Sequence, residues 1–396
     1  MATIVDSNTA TPAAGTPPAR IASVDIFSDF AAIEPLWRAL EASSAVMTPY
    51  QRYDFLSLWQ QHVGAAIGLR PCIAVARDAQ QQPRLLLPLG VGEVKGIRIA
   101  RFLGGKHATF NMPIWHRDTI GTIDRAELRM VLQALRVAPH AVDALALAQQ
   151  PRRWQGHANP MAQLPAQDSV NACPLLTIPS DATPASLISN SFRRRLKSKE
   201  RKLQSLPGYR YLRADSTAEI AQLLNAFFIV KPQRMALQKL PNVFAEAGVE
   251  AFIRAACQTR LADGGHAIDI HALVCDAEMI AMFAGVADGS RFSMMFNTYT
   301  LSENARYSPG LILMRSIVDH YAALGYTSLD LGIGSDDYKL LFCKSDEPLF
   351  DSFIGLSTRG TAVARSMSVL DHLKRTVKRT PLLMTAVQAA RGLVHR

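Results

Sequence analysis

The spacing of apolar residues divides the second half of the chain into helices and strands in a clear order. Apolar positions at helical spacing, bounded by capping and stop signals, predict three long helices, at residues 216–234, 249–262 and 310–325. Short apolar runs between turn residues predict strands at residues 174–178, 208–213, 267–275, 279–287, 291–298 and 328–331. Three of these strands follow one another closely and should pair as an antiparallel meander. The helix before the last strand permits a right-handed crossover, which leaves that strand parallel to its neighbour.

The first half of the chain repeats this order with weaker signals. Helices are predicted at residues 33–42, 50–62 and 125–138, and strands at 71–77, 84–91, 97–102 and 142–148. Because the order of elements repeats while the residues scarcely do, we interpret the chain as an internal structural duplication. The predicted fold class is α/β (α+β), with one domain at residues 21–165 and a second at 170–358. Residues 1–20, rich in Ala, Thr and Pro, are predicted to be a disordered leader.

The positive charge of the chain is concentrated in two segments. The 396 residues carry a net charge of +10, and the segment from Arg359 onward has eight Lys or Arg against the single Asp371. A second basic cluster lies at residues 193–202, on a predicted helix with one apolar edge. Such density attracts polyanions: anionic lipid, phosphorylated substrates, an acidic carrier protein or nucleic acid. Nucleic acid is the disfavoured partner because no zinc-finger spacing or aromatic signature accompanies the charge.

The tail at residues 359–396 alternates basic and apolar residues in an amphipathic pattern, which Pro381 would break into two short helices. Two interpretations are open: contact with the anionic inner face of a membrane, or a flexible, solubilising tail. No window of the chain approaches the ~20 uninterrupted apolar residues that a membrane span needs. The five scattered cysteines indicate reduced thiols, without a disulfide framework or a zinc site. The protein is therefore predicted to be cytoplasmic, with peripheral membrane contact as an option.

The most informative segment begins with the turn Ser308-Pro309-Gly310, which opens the helix at 310–325. Unpaired N–H groups at a helix start carry roughly half a positive charge and form a ready site for a phosphate. Pro309 presets the backbone, and Gly310 lets the main chain approach a ligand closely. An ordinary turn before an ordinary helix is the alternative. The first half has a much weaker phosphate loop at residues 104–113, so one half should bind a donor while the other shapes the acceptor side.

Residues 299–342 resemble the carboxyl-terminal signature of the GNAT-related acetyltransferases of the CelD/BcsL type. These bacterial proteins are named from cellulose and exopolysaccharide biosynthesis and are distant relatives of Fem-type aminoacyltransferases. Within these residues the resemblance rests on Arg306 before the Ser-Pro-Gly turn, on the long helix that follows, on Asp330 two residues before Gly332, and on Gly334 followed by Tyr338-Lys339. Two earlier helices also resemble the family: the Arg-rich helix and the helix ending at Arg234. It implies tandem GNAT-like domains, each a mixed sheet flanked by helices. It also implies acyl transfer from an acyl-thioester, usually acetyl-CoA, to an amine.

The resemblance places the donor at the Ser-Pro-Gly turn. Ser308, Gly310 and Leu311 are the candidates for holding the coenzyme pyrophosphate through adjacent backbone N–H groups. Arg306 is a candidate for a charge-assisted phosphate contact, although an ordinary surface arginine is an equal alternative. Arg234, at the end of the long helix, is a candidate for binding the acceptor. The resembled family often has His three residues before this arginine and Trp just after it, where this chain has Lys231 and Met235, and this departure argues against an acid–base role for the helix.

Three residues are candidates for catalysis, because amide formation needs a proton acceptor and stabilisation of a tetrahedral oxyanion. Asp330 would accept the acceptor's proton, directly or through water, and the alternative is a carboxylate in a structural ion pair. Lys339 would stabilise the oxyanion or bind a substrate anion, and Tyr338 would protonate the leaving thiolate, unless the pair only packs. Asp336 and Asp337 are rival bases or ligands for a cationic acceptor.

Two other routes are disfavoured. Cys343 lies close in sequence to these residues, but direct transfer needs no acyl-cysteine, and a cysteine among apolar neighbours usually packs. Asp269 and His271 share a strand face without a third ligand at suitable spacing, so no metal is expected.

The sequence therefore predicts an N-acyltransferase that uses acetyl-CoA or another acyl-CoA without a metal. Its acceptor would be an amine of a sugar or small metabolite, in polysaccharide or envelope biosynthesis. One alternative is an aminoacyl-tRNA-dependent, Fem-like transferase. Another is a non-catalytic binding partner of a polysaccharide synthesis system.

Overall fold

The computed structural model describes residues 20–43, 45–137, 141–334 and 336–379. In this part of the chain the strands are β1 Ser23–Phe27, β2 Arg70–Arg77, β3 Pro83–Val94, β4 Ile97–Phe102, β5 Ile114–Trp115, β6 Ala144–Pro151, β7 Arg153–Trp154, β8 His157–Ala158, β9 Gln167–Asp168, β10 Cys173–Thr177, β11 Arg210–Arg213, β12 Asp269–Val274, β13 Met279–Ala287, β14 Arg291–Tyr299, β15 Ser328–Asp330, β16 Ser345–Glu347 and β17 Leu349–Gly355. The α-helices are α1 Phe30–Ala42, α2 Tyr53–Trp59, α3 Arg125–Arg136, α4 Pro184–Leu187, α5 Asn190–Leu203, α6 Thr217–Leu237, α7 Val249–Gln258, α8 Pro309–Ala323 and α9 Thr358–Arg379.

The first sheet has the strand order β1-β2-β3-β4-β6-β17-β9, with β5 paired to β3. Strands β1 to β4 pair in an antiparallel series, and β6 then joins β4 in parallel after the crossover through α3. A parallel neighbour requires such a crossover because a tight turn can return the chain only in the antiparallel direction.

The second sheet repeats this plan with the order β11-β12-β13-β14-β15-β10-β16. Strands β11 to β14 form an antiparallel meander, and β15 joins β14 in parallel after α8. Both sheets are thus mixed, with the predicted meander, crossover helix and parallel strand. The predicted fold class, two mixed sheets flanked by helices, is confirmed.

The ends of the two sheets depart from the predicted domain ranges. Strand β17 follows the second sheet along the chain but pairs with β6 and β9 of the first. Residues 349–355 were assigned to the domain at 170–358, and their pairing shows that this strand belongs to the first sheet. Strands far apart along the sequence can form main-chain hydrogen bonds, so local sequence patterns do not reveal which sheet a strand joins.

The beginning of the predicted tail is a docked helix. α9 packs on β17, β6 and β4 of the first sheet and buries Ala364. At Gly360 the helix approaches so closely that an added Cβ would lie 1.7 Å from the carbonyl oxygen of Asp143. The predicted break at Pro381 and the predicted leader at residues 1–19 lie outside the described residues. Within the described ranges, the helices are all too short or too polar to cross a membrane.

The two halves are joined by apolar contacts as well as by the exchanged strand. The rings of Phe55 in α2 and Phe252 in α7 meet edge to face, with centroids 5.3 Å apart. Gly248, at the start of α7, has φ +77, and a Cβ there would lie 2.0 Å from the carbonyl oxygen of His62. Only glycine fits such a contact, which lets the two helices approach closely.

Candidate active site

The parallel strands of the second sheet part at their carboxyl ends. Three residue pairs join β14 to β15, and the last of them is Ser293 with Asp330. The next amides, of Leu331 and Gly334, donate to carbonyl groups of residues 172–174, on the side of β15 away from β14. β14 continues to Tyr299, and the loop after β15 stays close to it only as far as Gly332, where an added Cβ would lie 2.9 Å from the Met294 carbonyl oxygen. Beyond that point, none of the strand pairings in the described residues joins residues 295–299 of β14 to the loop. We refer to the opening between these residues and the loop as the strand gap.

Helix α8 begins beside the strand gap. Ser308 has φ +57, in the left-handed region, and its side chain forms no cap on the helix. The amides of Leu311 and Ile312 donate to the Ser308 carbonyl, at 3.0 and 3.3 Å, and the Ser308 amide donates to the Ala305 carbonyl at 3.1 Å. Two of the three predicted backbone donors, those of Ser308 and Leu311, are therefore engaged within the protein, and a phosphate site here depends on Gly310. A Cβ on Gly310 would lie 3.6 Å from the ring of Tyr299, at the end of β14. The first turn of α8 therefore lies against the end of the strand that bounds the gap.

A lysine that the sequence interpretation did not single out lies at this turn. The Lys199 ammonium, on the basic helix α5, donates to the Ser308 hydroxyl at 2.7 Å. Its place in the Arg-rich helix was the only signal for it. Arg306, by contrast, is exposed, with its guanidinium 3.6 Å from Glu303 and over the ring of Tyr307. The positive charge at the α8 start is thus supplied by α5 and by the helix itself.

Asp330 is buried and fully engaged with protein groups. Its carboxylate accepts hydrogen bonds from the Ser293 hydroxyl and from the Gly332 amide, the latter at 3.1 Å. The Cys173 thiol lies 3.7 Å away. Burial raises the pKa of Asp330 to about 6, although the charge of Arg291 and these hydrogen bonds oppose the rise. With no exposed surface, Asp330 organises the last strand pair from inside.

Lys339 holds the loop that follows β15. Its ammonium donates to the carbonyl oxygens of Gly332, Ile333 and Gly334, at 3.0, 3.2 and 3.4 Å. An ammonium has three N–H bonds, so these contacts engage all of them. In this arrangement Lys339 stabilises the loop. Its ammonium has no N–H group left to donate to an oxyanion, which is the role predicted from its residue type.

Tyr338 reaches back across the strand gap. Burial raises the pKa of its phenol well above the usual range, and the side chain of Asn297 in β14 opposes the rise. A phenol with a raised pKa stays protonated at neutral pH, so Tyr338 is a poor base and carries a hydroxyl proton. Of the three predicted catalytic residues, Tyr338 alone has its functional group at the strand gap, and its role as a proton donor stays a prediction.

The predicted acceptor-binding residues lie near the far end of the gap. The guanidinium carbon of Arg234 lies 3.2 Å from the ring centroid of Tyr299. Asp336 is exposed and lies 3.6 Å from the Lys339 ammonium, and Asp337 is exposed beside it. Lys231, one turn before Arg234 on α6, lies 5.8 Å from the ring centroid of Phe244. The sequence interpretation named Lys231 only as a departure from the His of the resembled family and assigned it no role in the site.

The structure also shows the surroundings of Cys343 and His271, the candidates for an acyl-cysteine and for a metal site. Cys343 is buried, and burial raises the pKa of its thiol to about 12, which disfavours a thiolate nucleophile. His271 lies between the hydroxyls of Tyr211 and Tyr321, at 2.8 and 3.0 Å. Among the described residues no group of three or more potential ligands is arranged to hold a metal ion.

Comparison with known families identifies the class of the second half. Residues 190–340 match the family described as acetyltransferase (GNAT) domain. The match contains α5, α6, the meander, α8 and the strand gap, and it confirms the predicted acetyltransferase domain and the class of N-acyltransferase. This match does not distinguish the CelD/BcsL type from other acetyltransferases of this class, so the narrower family stays a prediction.

Solved structures similar to this chain have the same fold at low sequence identity. A conserved protein of unknown function from Bacteroides thetaiotaomicron has a TM-score of 0.55 at 12% identity, over 85% of this chain and 100% of that one. FemX has a TM-score of 0.54 at 8% identity, over 80% of this chain and 95% of that one. No curated protein sequence matches the chain. The similarity therefore extends over both halves and concerns the fold.

Proposed function

We propose that this protein transfers an acyl group, in the first instance acetyl, from acyl-CoA to an amine of a sugar or small metabolite. The observation that carries the proposal is the strand gap with the uncapped start of α8 beside it. A gap between parallel strands exposes main-chain groups to an extended ligand, while the helix start attracts its phosphates. The acetyltransferase match over residues 190–340 supports the choice of donor.

In this proposal the coenzyme pyrophosphate lies at the first turn of α8. Gly310 lets the main chain come close, Leu311 and Ser308 complete the turn, and Arg306 lies exposed at its rim. The Lys199 ammonium, at 2.7 Å from the Ser308 hydroxyl, adds a full positive charge. The pantetheine arm would follow the strand gap and bring the thioester toward Tyr338.

The chemistry proposed is direct transfer. The neutral acceptor amine attacks the thioester carbon, the C–N bond forms, and the tetrahedral intermediate then collapses with cleavage of the C–S bond. Tyr338 stays protonated and can give its proton to the departing thiolate. Asp336 and Asp337, both exposed, supply negative charge that would attract an ammonium on the acceptor. Arg234 would contact an anionic or hydroxyl group of the same acceptor.

We place the reaction in polysaccharide or envelope biosynthesis on the inner side of the membrane, with a CelD/BcsL-type role. Helix α9 presents Val369, Leu370 and Leu373 to solvent, next to the exposed Lys374. Apolar side chains flanked by basic ones suit the surface of an anionic membrane. Membrane contact would bring the acceptor amine of a lipid-linked sugar to the enzyme.

A second candidate donor is aminoacyl-tRNA. The fold similarity to FemX and the exposed basic residues of α5 favour this Fem-like alternative. RNase treatment separates the two, because it abolishes transfer from aminoacyl-tRNA and leaves transfer from acyl-CoA intact. A non-catalytic partner of a synthesis system would instead bind its target without releasing free coenzyme A.

The test is a thermal-shift series with coenzyme A, acetyl-CoA and longer acyl-CoAs, followed by thiol release from acetyl-CoA with a panel of amino sugars. A ligand at ~100 times its dissociation constant adds roughly 2.7 kcal/mol to the free energy of unfolding. Lys199→Met should weaken acetyl-CoA binding about tenfold, which corresponds to ~1.4 kcal/mol. Lys197→Met, on the exposed side of the same helix, is the matched control. Unchanged stability with every acyl-CoA would exclude the proposed donor.

A further inference from the structure

Lys231 differs from Lys339 in how its side-chain nitrogen is held. Among the residues that the structure describes, none accepts a hydrogen bond or forms an ion pair with its ammonium. The contrast with Lys339 is direct, because that ammonium donates to three carbonyl groups of one loop. An amine serves as a base only when its nitrogen lone pair is available.

The position of Lys231 follows from three aromatic contacts. Its ammonium lies 5.8 Å from the ring centroid of Phe244, and that ring lies 6.0 Å from the ring of Phe296. Phe296 belongs to β14 beyond the last pair with β15. One turn later on α6, Arg234 stacks on Tyr299 at the end of β14. α6 thus runs along the part of β14 that bounds the gap and carries Lys231 there.

The charged groups that face Lys231 come from its own helix and from the loop across the gap. Arg234 on α6 disfavours the ammonium form, and Asp336 on the loop favours it. Phe244 contributes an apolar face. Burial is the largest influence, and together these groups lower the pKa of Lys231 from its ordinary value to about 8. Near neutral pH an appreciable fraction of the side chain is then a neutral amine.

The other ionisable groups near the gap are less suited to accept a proton from a substrate. Asp330 has no exposed surface and accepts hydrogen bonds from Ser293 and Gly332. Tyr338 stays protonated, because burial raises its pKa. Lys339 is engaged with the loop. Asp336 and Asp337 are exposed to solvent, where their charge can attract the acceptor's ammonium group.

We propose that Lys231 is the general base that deprotonates the acceptor's ammonium group. The inference rests on the proposed acyl transfer and adds the residue that activates its nucleophile. Neutral Lys231 takes one proton from the acceptor, whose amine then forms the C–N bond with the thioester carbon. When the C–S bond breaks, the second proton of that nitrogen passes to the thiolate sulfur, directly or through Tyr338. The Lys231 ammonium returns its proton to solvent, to which its side chain is partly exposed.

The first measurement reads Lys231 directly and needs no acceptor. The full-length protein is treated with trace acetic anhydride from pH 6 to 11, and labelling of each lysine is followed by peptide mass spectrometry. Labelling of Lys231 should rise with an inflection near pH 8. The exposed Lys374 on α9 is the internal reference that corrects for the reactivity of the reagent at each pH. An inflection of Lys231 at about 10.4, the pKa of a lysine in a model peptide, would overturn the proposal.

The second measurement is thiol release from acetyl-CoA with the amino-sugar panel. Lys231→Met should lower kcat by about 100-fold or more, as general-base catalysis contributes 10²–10⁴-fold. The KM for acetyl-CoA should stay within about twofold, because Lys231 faces the acceptor in this scheme. Lys231→Arg should fail to restore the rate, since a guanidinium stays charged. Lys239→Met, just beyond the end of α6 and exposed, is the matched control and should behave as wild type.

The outcomes separate this inference from the function on which it rests. If the wild type releases thiol with an amine and Lys231→Met does so equally fast, the base assignment is wrong while acyl transfer stands. If the wild type binds no acyl-CoA and releases no thiol, the proposed function fails and the base assignment fails with it. A loss of activity accompanied by a lower melting temperature in Lys231→Met, but not in Lys231→Arg, would indicate a packing role and overturn the proposal.

Discussion

The two sheets share an order of strands but differ where the parallel strand is added. In the first sheet the last pair that joins β4 to β6 is Ala100 with Leu145. In the second sheet the last pair that joins β14 to β15 is Ser293 with Asp330. One junction is therefore apolar, and the other places a buried carboxylate and a hydroxyl at the base of the strand gap. Burying a carboxylate costs stability unless it is hydrogen-bonded, and here the Ser293 hydroxyl and the Gly332 amide donate to it.

The loops at these junctions also differ. In the first half, the chain after β4 crosses the end of β6, where the Asn111 amide donates to the Gln149 carbonyl at 3.0 Å. The Asn111 side chain adds a contact to the Ala148 carbonyl at 3.4 Å. In the second half, the loop after β15 turns toward β10 and is held by Lys339. The first half thus covers its own junction, and the second leaves its junction open.

The crossover helices repeat the contrast. α3 begins with a capping box, in which Asp124 accepts from the amides of Ala126 and Glu127 at 2.8 and 2.9 Å. α8 begins without a side-chain cap and has the Lys199 ammonium beside it. A carboxylate already occupies the positive end of α3, whereas no side chain of the described residues caps the start of α8. This difference supports a donor site in the second half alone.

The largest expected effect comes from releasing the loop that keeps the second junction open. Lys339→Met removes the donor from the carbonyls of Gly332, Ile333 and Gly334, so we expect the free energy of unfolding to fall by roughly 3 kcal/mol. Urea denaturation at pH 7.5 measures it. Lys344→Met, exposed a few residues later, is the control. Full stability in the Lys339 variant would show that the loop holds its shape without this contact.

A second change gives α8 the kind of cap that α3 has. Ser308→Asp places a carboxylate at the helix start, where it occupies the positive charge and repels a phosphate. We expect the dissociation constant of acetyl-CoA to rise about 100-fold, or ~2.7 kcal/mol, with no loss of thermal stability. Isothermal titration calorimetry measures the affinity. Ser308→Ala is the control and should change it severalfold at most, and equal affinity in the Asp variant would contradict a phosphate site there.

The smallest expected effect concerns the polar pair at the second junction. The pKa of Asp330 is raised to about 6 in the folded protein, against about 3.9 when unfolded, so the folded state binds more protons in this interval. Its contribution to stability is present below pH 4 and is lost as pH rises through 6. Asp330→Asn cannot ionise, so the decline in unfolding free energy from pH 4 to 7.5 should shrink by about 2 kcal/mol.

Asp351, in β17 of the first sheet, provides the comparison for that variant. Burial raises its pKa to about 6 as well, so Asp351→Asn should remove a separate part of the same decline. Urea denaturation at four pH values between 4 and 7.5 compares the single and double variants. The two effects should add because the residues lie in different sheets. An unaltered pH profile in Asp330→Asn would show that its carboxyl titrates as an ordinary one.

Local patterns predicted the elements well where the turns are short. The strand predicted at residues 279–287 is Met279–Ala287, and the helix predicted at 310–325 is Pro309–Ala323. Less accurate was the helix predicted at 249–262, which ends at Gln258, since the following residues turn back through a bridge between Arg260 and His266. The pairing partners of the strands were harder to predict from the sequence. Strands β1 and β17 were not predicted, and the pairing of β17 with the first sheet depends on contacts between residues far apart along the chain.

The candidate site shows the same limit at single residues. In a strand, Asp330 faces the side of the sheet opposite to Leu329 and Leu331, and all three are buried because both faces of β15 are covered. The pairing of Tyr338 with Lys339 was visible in the sequence. The sequence did not reveal which of the two side chains is available for chemistry, because that depends on the three carbonyl groups to which Lys339 donates.

The amino-acid sequence by itself determined the order of helices and strands, the duplication, the turn that opens α8 and the acetyltransferase class, because these depend on periodicity and on residues close together along the chain. The tertiary structure alone decided that β17 joins the first sheet, that Lys199 contacts Ser308 and that the Lys231 ammonium, near the strand gap, has no hydrogen-bond or ion-pair partner among the described residues. Burial and neighbouring charge set the protonation of a side chain, and both are properties of the packed molecule.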